Sequence, residues 1–100
     1  MQNPVFTMEH IVAMVKPLAD KYRVKGIYLF GSYARGEADE NSDLDFLVFG
    51  GEKFKRTMIF ALAEDLREVL KKKVDVFEIG EVNPDSNFYK RIMKEKVFVA

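Results

Sequence analysis

The sequence predicts an α/β fold in which a small mixed β-sheet is flanked by helices. Segments with apolar residues at helical spacing alternate along the chain with short runs of β-branched and aromatic residues. The chain has 100 residues, of which 48% are hydrophobic, and this is enough material for one compact core. We therefore expect residues 1–100 to form a single domain, too short to include a separate domain for a second substrate.

The charge balance and the absence of cysteine exclude several kinds of protein. Lys and Arg together number 16, as do Asp and Glu, so no overall basic field attracts nucleic acid. This balance argues against direct nucleic-acid binding, and against a template-gripping polymerase in particular. A chain without cysteine has neither disulfides nor Cys-ligated zinc. Since no apolar run approaches about 20 residues and no signal-peptide pattern opens the chain, we expect a cytoplasmic protein without membrane contact.

A helix is expected close to the N-terminus, after a short tail over residues 1–6. Thr7 is a suitable N-cap, and apolar residues follow it at helical spacing: Met8, Ile11, Val12 and Val15. Pro17 has no backbone N–H to donate, so it should break or kink this helix and open a second helical piece to about Tyr22. His10, the single histidine, has no Cys or His neighbour on the helix and is expected at the surface.

The next segments alternate between strands and loops. The first strand is expected over residues 24–30 and ends in Gly31-Ser32. A short helical turn is expected over residues 33–35, where Gly36 stops it. Residues 37–42 are expected to form a polar loop, and a second strand is expected over residues 43–49. One short loop therefore joins the Gly-Ser pair to the start of the second strand.

The second half of the chain is expected to contain two helices and two strands. The longest helix is predicted over residues 53–72, with an apolar stripe formed by Phe54, Met58, Ala61, Leu62, Leu66, Val69 and Leu70. A third strand follows over residues 74–79. Residues 83–86 form a turn that starts a last helix to about residue 95, and residues 97–99 form a short terminal strand.

Three aspartates on the second and third strands are candidate metal ligands and catalytic groups. Residues two apart on a strand point to the same face, so Asp43 and Asp45 should project together. Adjacent carboxylates repel each other, and a cation such as Mg²⁺, which prefers oxygen ligands, relieves this repulsion. Asp75 interrupts an otherwise apolar strand, and it joins the pair if the two strands are neighbours. Three carboxylates on one sheet face can hold two metal ions about 3.5–4 Å apart.

Gly31-Ser32 and Arg35 are candidates for binding a nucleoside triphosphate. A glycine at a strand end lets the backbone approach a ligand closely, and the following turn presents N–H groups to a phosphate. The Ser32 hydroxyl adds a donor, and Arg35, about one turn later, could bind a phosphate through two hydrogen bonds. Arg35 could equally pair with a nearby carboxylate, Glu37 or Asp39.

Two other interpretations of the acidic motif fit less well. Residues 39–43 resemble the start of an EF-hand calcium loop, but that loop needs Gly at its sixth position and Glu at its twelfth, where the chain has Leu44 and Gly50. Asp-x-Asp also occurs in glycosyltransferases that use metal-bound sugar nucleotides, but a domain of that kind would not normally fit in this length. The conjunction of Gly-Ser, Asp-x-Asp and a third Asp favours metal-dependent transfer from a nucleoside triphosphate.

Gly31-Ser32, ten further residues and then Asp43-Leu44-Asp45 resemble the signature of the DNA polymerase beta-type nucleotidyltransferase superfamily. Residues 31–36 and 42–45 look like its minimal nucleotidyltransferase (MNT) branch, and the resemblance extends over nearly the whole chain. It implies the nucleotidyltransferase fold, two Mg²⁺ ions, and transfer of a nucleoside monophosphate from ATP or another triphosphate to a hydroxyl. By this resemblance, Asp43, Asp45 and Asp75 would be the catalytic metal ligands, and Gly31 and Ser32 would bind the triphosphate.

The same resemblance implies a partner, because small MNT proteins commonly pair with a HEPN-domain protein in toxin–antitoxin modules. In those modules the MNT member is the antitoxin and adenylylates a tyrosine of the HEPN ribonuclease. Two alternatives stay open: an antitoxin that acts by binding alone, and a stand-alone adenylyltransferase of a small molecule. Metal-site variants would still neutralise the toxin in the first case, whereas the second usually needs an extra helical domain or a dimer.

Phe60 is the sequence feature that bears on assembly. On the helix predicted over residues 53–72 it falls opposite the apolar stripe, among Thr57, Glu64, Arg67 and Lys71. An exposed Phe could anchor a partner or a homodimer. Single apolar residues are also common on protein surfaces, so exposure by itself does not define an interface.

Overall fold

A computed structural model describes residues 5–100 and has the expected α/β class. In chain order its elements are α1 (Met8–Tyr22), β1 (Gly26–Phe30), α2 (Gly31–Ala34), β2 (Leu44–Phe49), α3 (Met58–Leu70), β3 (Val74–Glu78), a 3₁₀ turn (Ile79–Glu81), α4 (Asn87–Glu95) and β4 (Val97–Phe98). Thr7 caps α1 as expected, because its hydroxyl oxygen accepts the His10 N–H at 3.1 Å. Of the expected tail, residues 1–4 lie outside the described residues.

The four strands form one mixed sheet in the order β3-β2-β1-β4. β1 pairs antiparallel with both β2 and β4, whereas β2 and β3 are parallel. Parallel neighbours need a crossover connection, and α3 supplies it. The predicted small mixed sheet with flanking helices is confirmed, and the second and third strands are neighbours.

The two faces of the sheet are covered by different elements. α1 and α3 pack on one face and enclose the larger core, whose fully buried members include Ile11, Val15, Ile27, Leu29, Phe46, Leu62 and Leu66. α4 and the 3₁₀ turn pack on the opposite face, around Phe30, Leu47, Val82 and Ile92. Because side chains alternate between faces along a strand, Asp45 and Asp75 lie on this second face. The aspartates therefore share a face with α4 and not with the main core.

The predicted break at Pro17 is wrong, since α1 runs without interruption from Met8 to Tyr22. Pro17 is exposed, whereas Ile11, Val15 and Leu18 are buried in the main core. A proline inside a helix destabilises it by about 3 kcal/mol, but each buried side chain on either side of Pro17 contributes about 1.5–3 kcal/mol. Packing of the apolar stripe therefore maintains the helix through residue 17. His10 is exposed, as predicted.

The predicted start of the long helix at residue 53 is also wrong, because α3 begins at Met58 and ends at Leu70. Phe54 lies in a turn, where its N–H donates to the Gly51 carbonyl oxygen at 3.3 Å. Its ring packs against Gly50 so closely that a Cβ at that glycine would overlap it. Phe54 lies four residues before Met58, which is a helical spacing. The periodicity of apolar residues therefore predicted a helix that begins too early.

The other boundaries lie close to their predicted positions. β1 begins two residues late, since Arg23 ends α1 in a left-handed conformation with a φ of 53°. Ser86 caps α4, and its hydroxyl oxygen accepts the Tyr89 N–H at 3.0 Å. None of the helices in residues 5–100 is both long enough and apolar enough to cross a bilayer.

Candidate active site

Asp45 and Asp75 are directly paired residues of the neighbouring parallel strands β2 and β3. Asp45 is also the register partner of Phe30, the last residue of β1. Asp43 precedes β2 by one residue, and its Oδ2 lies 3.8 Å from the Nζ of Lys73, just before β3. The fold thus brings the three predicted aspartates to the end of the sheet where β1 stops and where β2 and β3 begin.

The carboxyl group of Asp45 lies in an environment that opposes its ionisation. Burial, followed by the charges of Asp75 and Asp43, raises the pKa of Asp45 from its ordinary 3.8 to about 6. The positive charges of Arg35 and Arg91 lower the same pKa to a smaller extent. A cation among the three carboxylates would favour their charged forms, so the electrostatics of this site suit a metal ion.

The protein alone does not assemble a closed metal cage. Within residues 5–100, no group of three or more His, Asp or Glu side chains stands close enough together to hold an ion. Mg²⁺ is usually bound by one or two carboxylates, with waters and substrate phosphates completing its coordination shell. The carboxylates of Asp43, Asp45 and Asp75 therefore fit, by donor chemistry, an ion that enters together with a triphosphate.

Gly31, at the junction of β1 and α2, contacts the carboxylate of Asp45. Its φ of +74° is a left-handed conformation that favours glycine, and a Cβ at this position would overlap Oδ2 of Asp45. Ser32 follows and is half-buried, and its carbonyl oxygen accepts the Glu37 N–H at 2.9 Å. Because α2 has only four residues, phosphate binding here would depend on N–H groups and the Ser32 hydroxyl, since so short a helix has little dipole.

Arg35 lies beside the site and forms ion pairs with two glutamates. Its Nε is 3.3 Å from both carboxylate oxygens of Glu37, so the alternative of a nearby carboxylate partner is present for Glu37. Its Nη1 donates a hydrogen bond of 2.9 Å to Oε2 of Glu95, sixty residues away. These contacts, with that to Glu95 first, raise the pKa of the Arg35 guanidinium, which therefore stays fully charged.

Arg91 and Glu95 on α4 belong to the site and were not predicted from the sequence. Arg91 influences Asp45 through its charge, and its Nε lies 3.4 Å from Oε1 of Glu95. Arg91 and Glu95 are four residues apart, a spacing from which the sequence alone could have predicted an ion pair on one helix. Nothing in the local sequence indicates that Glu95 also reaches Arg35, because that contact exists only after α4 packs on the sheet.

An aromatic cluster lies on the same sheet face as the aspartates. The rings of Phe30, Phe77 and Phe88 are 5.3–5.9 Å apart, centre to centre. The guanidinium carbon of Arg91 lies 5.5 Å from the ring centre of Phe88. Phe30 is the register partner of Asp45, so this cluster lies on the sheet face from which Asp45 projects.

The loop that leads into Asp43 is held by its own side chains and by Lys72. The Asp39 carboxylate accepts the Asn41 N–H at 2.8 Å, so Asp39 stabilises a turn. The Nζ of Lys72 lies 3.2 Å from the Tyr33 hydroxyl and 3.5 Å from the carbonyl oxygens of both Glu40 and Ser42. Lys72 thereby links α2 to the loop before the Asp-x-Asp motif.

The sequence matches a known protein family. A family model described as polymerase beta, nucleotidyltransferase, matches residues 13–100. The protein adenylyltransferase MntA of Thermococcus cleftensis is 33% identical over 99 residues, which are 95% of this chain and 98% of that relative.

Solved structures share the fold. One, described as a minimal nucleotidyltransferase, is 27% identical, with a TM-score of 0.76 over 92% of this chain and 95% of that one. A chain in a Shewanella oneidensis complex of a tri-AMPylated HEPN toxin with an MNT antitoxin has a TM-score of 0.71. That match covers 94% of this chain and 72% of the other, and at 18% identity it shows the fold alone.

Proposed function

The chain belongs to the polymerase beta nucleotidyltransferase family, and we propose that it transfers AMP from ATP to a tyrosine of a HEPN-domain toxin, as the antitoxin of the pair. The pairing of Asp45 with Asp75 beside Gly31 carries the chemical part of the proposal. The acceptor is inferred from similarity to the Thermococcus protein adenylyltransferase and to the Shewanella complex with its tri-AMPylated toxin.

The proposed reaction is an in-line displacement at the α-phosphorus of ATP. The acceptor oxygen forms a bond to phosphorus, and the bond from phosphorus to the bridging oxygen breaks, so that pyrophosphate leaves with the electron pair. The hydroxyl proton passes to a carboxylate oxygen of Asp75, which acts as the general base. The protein contributes mainly the alignment of the two reactants and the neutralisation of charge.

Binding of the nucleotide is assigned to the turn after β1. The Ser32 hydroxyl and the N–H groups of the turn donate to the triphosphate, Gly31 permits the close approach, and Arg35 adds a charged donor. Asp43, Asp45 and Asp75 would hold two Mg²⁺ ions, which when bound neutralise the triphosphate and lower the pKa of the acceptor hydroxyl. Among these residues, Asp45 lies between the turn and Asp75, so it links the nucleotide side of the site to the acceptor side.

A groove beside β3 supports a protein acceptor. Phe60, whose side chain is 76% exposed, lines this groove of about 330 Å³ together with Val76 and Phe77. The groove begins at Val76, the residue after Asp75 on β3, so a partner seated in it would cover the strand that carries the proposed general base. The same apolar surface could instead join two copies of this chain, and the measurement of assembly described below distinguishes these occupants.

The direct test is incubation of the chain with α-labelled ATP and Mg²⁺, with and without the HEPN partner, followed by mass spectrometry of the partner. We expect AMP on a tyrosine of the partner. The double variant Asp43→Asn, Asp45→Asn should abolish it, whereas Asp20→Asn, the same chemical change at an exposed position of α1, should not. Equal transfer by the double variant would show that the site is assigned wrongly.

The same incubation, with an aminoglycoside added and with a parallel assay of toxin neutralisation, separates the alternatives. An antitoxin that acts by binding alone would leave the partner unlabelled, and the double variant would still neutralise the toxin. Label on an added small-molecule alcohol, such as an aminoglycoside, without label on the partner would indicate a small-molecule adenylyltransferase.

A further inference from the structure

Glu95, the last residue of α4, is a nearly buried carboxylate between two arginines. Its side chain is only 13% exposed. Oε2 accepts the hydrogen bond of 2.9 Å from Nη1 of Arg35, and Oε1 lies 3.4 Å from Nε of Arg91. Removing a carboxylate from water is strongly unfavourable unless it is paired, so this burial depends on both guanidinium groups.

The two arginines approach the site from different elements. Arg35 follows the α2 turn, and Arg91 lies on α4 against the ring of Phe88. Arg35 follows the turn whose Gly31 contacts the Asp45 carboxylate. The Phe88 ring beneath Arg91 packs on the last residue of β1, at the same end of the sheet. Glu95, one turn of α4 beyond Arg91, contacts both guanidinium groups and so joins α4 to the segment after α2.

We propose that Glu95 is a positioning residue that holds Arg35 and Arg91 beside the active site, so that both guanidinium groups are directed at the phosphates of the bound nucleotide. This inference rests on the proposed function and deepens it, because it assigns a second cationic contact, Arg91, and the residue that orients both. Glu95 itself does not contact the nucleotide in this arrangement.

The hydrogen bonding of Arg35 leaves donors available for a ligand. A guanidinium has five N–H groups, and Arg35 uses Nη1 for Glu95 and Nε for Glu37. Both N–H groups of Nη2 and one of Nη1 therefore remain for a phosphate. Within the described residues, Oε1 of Glu95 is buried without a hydrogen-bond partner. A small rotation of Arg91 would satisfy this oxygen and still leave four N–H groups of Arg91 for the ligand.

Glu37 offers a matched control, because it pairs with the same arginine from an exposed position. The Glu37 side chain is 58% exposed and lies 3.3 Å from Nε of Arg35. Exposed ion pairs are weak because water screens them, whereas pairs with a buried partner are strong and fix geometry. If Arg35 is oriented from behind, loss of the Glu95 charge should affect nucleotide binding and loss of the Glu37 charge should not.

The test is calorimetric titration with Mg²⁺-ATP of the wild-type chain, Glu95→Gln, Glu37→Gln, Arg35→Ala, and the double variant Arg35→Ala, Glu95→Gln. We expect Glu95→Gln to weaken binding about 10-fold, which is about 1.4 kcal/mol, and Glu37→Gln to change it less than about 2-fold. In the Arg35→Ala background, Glu95→Gln should weaken binding less than about 3-fold further, because part of its effect passes through Arg35.

Three results would overturn the inference. One is unchanged affinity of Glu95→Gln, even with a lower Tm, since Glu95 would then only tie α4 to α2. Another is a full 10-fold effect of Glu95→Gln in the Arg35→Ala background. If Glu95→Gln does not fold, Glu95→Asp replaces it, because the shorter side chain keeps the charge but moves it away from the two arginines. The same affinities are then measured in the wild-type and Arg35→Ala backgrounds, and the same results would overturn the inference. A wild-type chain that binds no nucleoside triphosphate would overturn the proposed function itself, and this inference with it.

Discussion

Gly31 and Asp45 are in direct contact, and any side chain at position 31 would overlap Oδ2 of Asp45. β1 ends at Phe30, the register partner of Asp45, so the turn that follows has to pass this carboxylate. The glycine of the Gly-Ser pair is therefore required by the packing of an acid of the same chain, independently of any ligand.

Substitution of Gly31 by Ala should damage the site more than the fold. Alanine at this φ is strained by about 1–2 kcal/mol, and its Cβ must also displace the Asp45 carboxylate. Gly36→Ala is the matched control, because Gly36 has a φ of +73° but nothing within 4 Å of the added Cβ. Each kcal/mol of strain should lower Tm by about 4–8 °C, and we expect Gly36→Ala to show this decrease while it keeps AMP transfer. Gly31→Ala should lower Tm further and abolish transfer. Equal transfer by the two variants would contradict the contact.

Stability of the metal-free protein should fall as pH rises through the pKa of Asp45. This carboxyl titrates at about 6 in the folded chain and near its ordinary 3.8 when unfolded, so the folded state binds more protons between these values. Its contribution is fully present below pH 3.8 and is lost as pH rises through about 6. Since the side chain is partly solvated, we expect a loss of about 1 kcal/mol.

Urea denaturation in EDTA at pH 4.5, 6.0 and 7.5 measures this effect. Other groups titrate in the same range, notably Asp65, whose pKa is lowered by Lys21 and Tyr22 and whose contribution has the opposite sign. The difference between the wild type and Asp45→Asn isolates the effect of Asp45. That difference should grow in favour of the variant as pH rises, and a difference independent of pH would refute the raised pKa.

Asp75 and Asp45 should differ in which step they affect. If Asp75 is the general base, Asp75→Asn should lower kcat by about 10²–10⁴-fold. It should weaken Mg²⁺-ATP binding less than Asp45→Asn does, because Asp75 would share only the ion on the acceptor side. Asp45→Asn should instead weaken Mg²⁺-ATP binding, because it removes a carboxylate from the nucleotide side. Rates of labelled AMP transfer, combined with calorimetric affinities, separate the two effects. Parallel loss of affinity in both variants would assign Asp75 to metal binding only.

Phe60→Ser should weaken association with the partner without destabilising the chain. The ring is 76% exposed, so its removal should change the free energy of unfolding by less than about 0.5 kcal/mol. A central aromatic residue of an interface typically contributes about 2 kcal/mol or more to binding. Val69→Ser is the control, since Val69 is 38% exposed on the same helix but does not line the groove.

Sedimentation of the chain with and without the HEPN partner measures this association. Weaker binding of the Phe60 variant alone would support the groove as the partner contact. Loss of a homodimer in the absence of partner would assign Phe60 to self-association. Unchanged sedimentation in both cases would leave Phe60 as a scattered surface residue.

Much of the fold follows from local patterns. The caps Thr7 and Ser86 act on neighbouring N–H groups, and the β-branched and aromatic runs form strands, so element order and most boundaries were predictable. Two predictions failed where packing overrode local preference. Burial of the α1 stripe maintained the helix at Pro17, and Phe54 filled the core from a turn while keeping helical phase.

The sequence by itself determined the residue types of the candidate site and their order, because Gly-Ser and Asp-x-Asp are short-range motifs at strand ends. Only the tertiary structure decided that Asp75 lies opposite Asp45, since the register of these parallel strands depends on how the α3 crossover packs on the face of the sheet. It alone brought Glu95 to Arg35, across sixty residues. Periodicity indicates which face of an element is buried, but contacts between distant elements arise from the packing of the whole core.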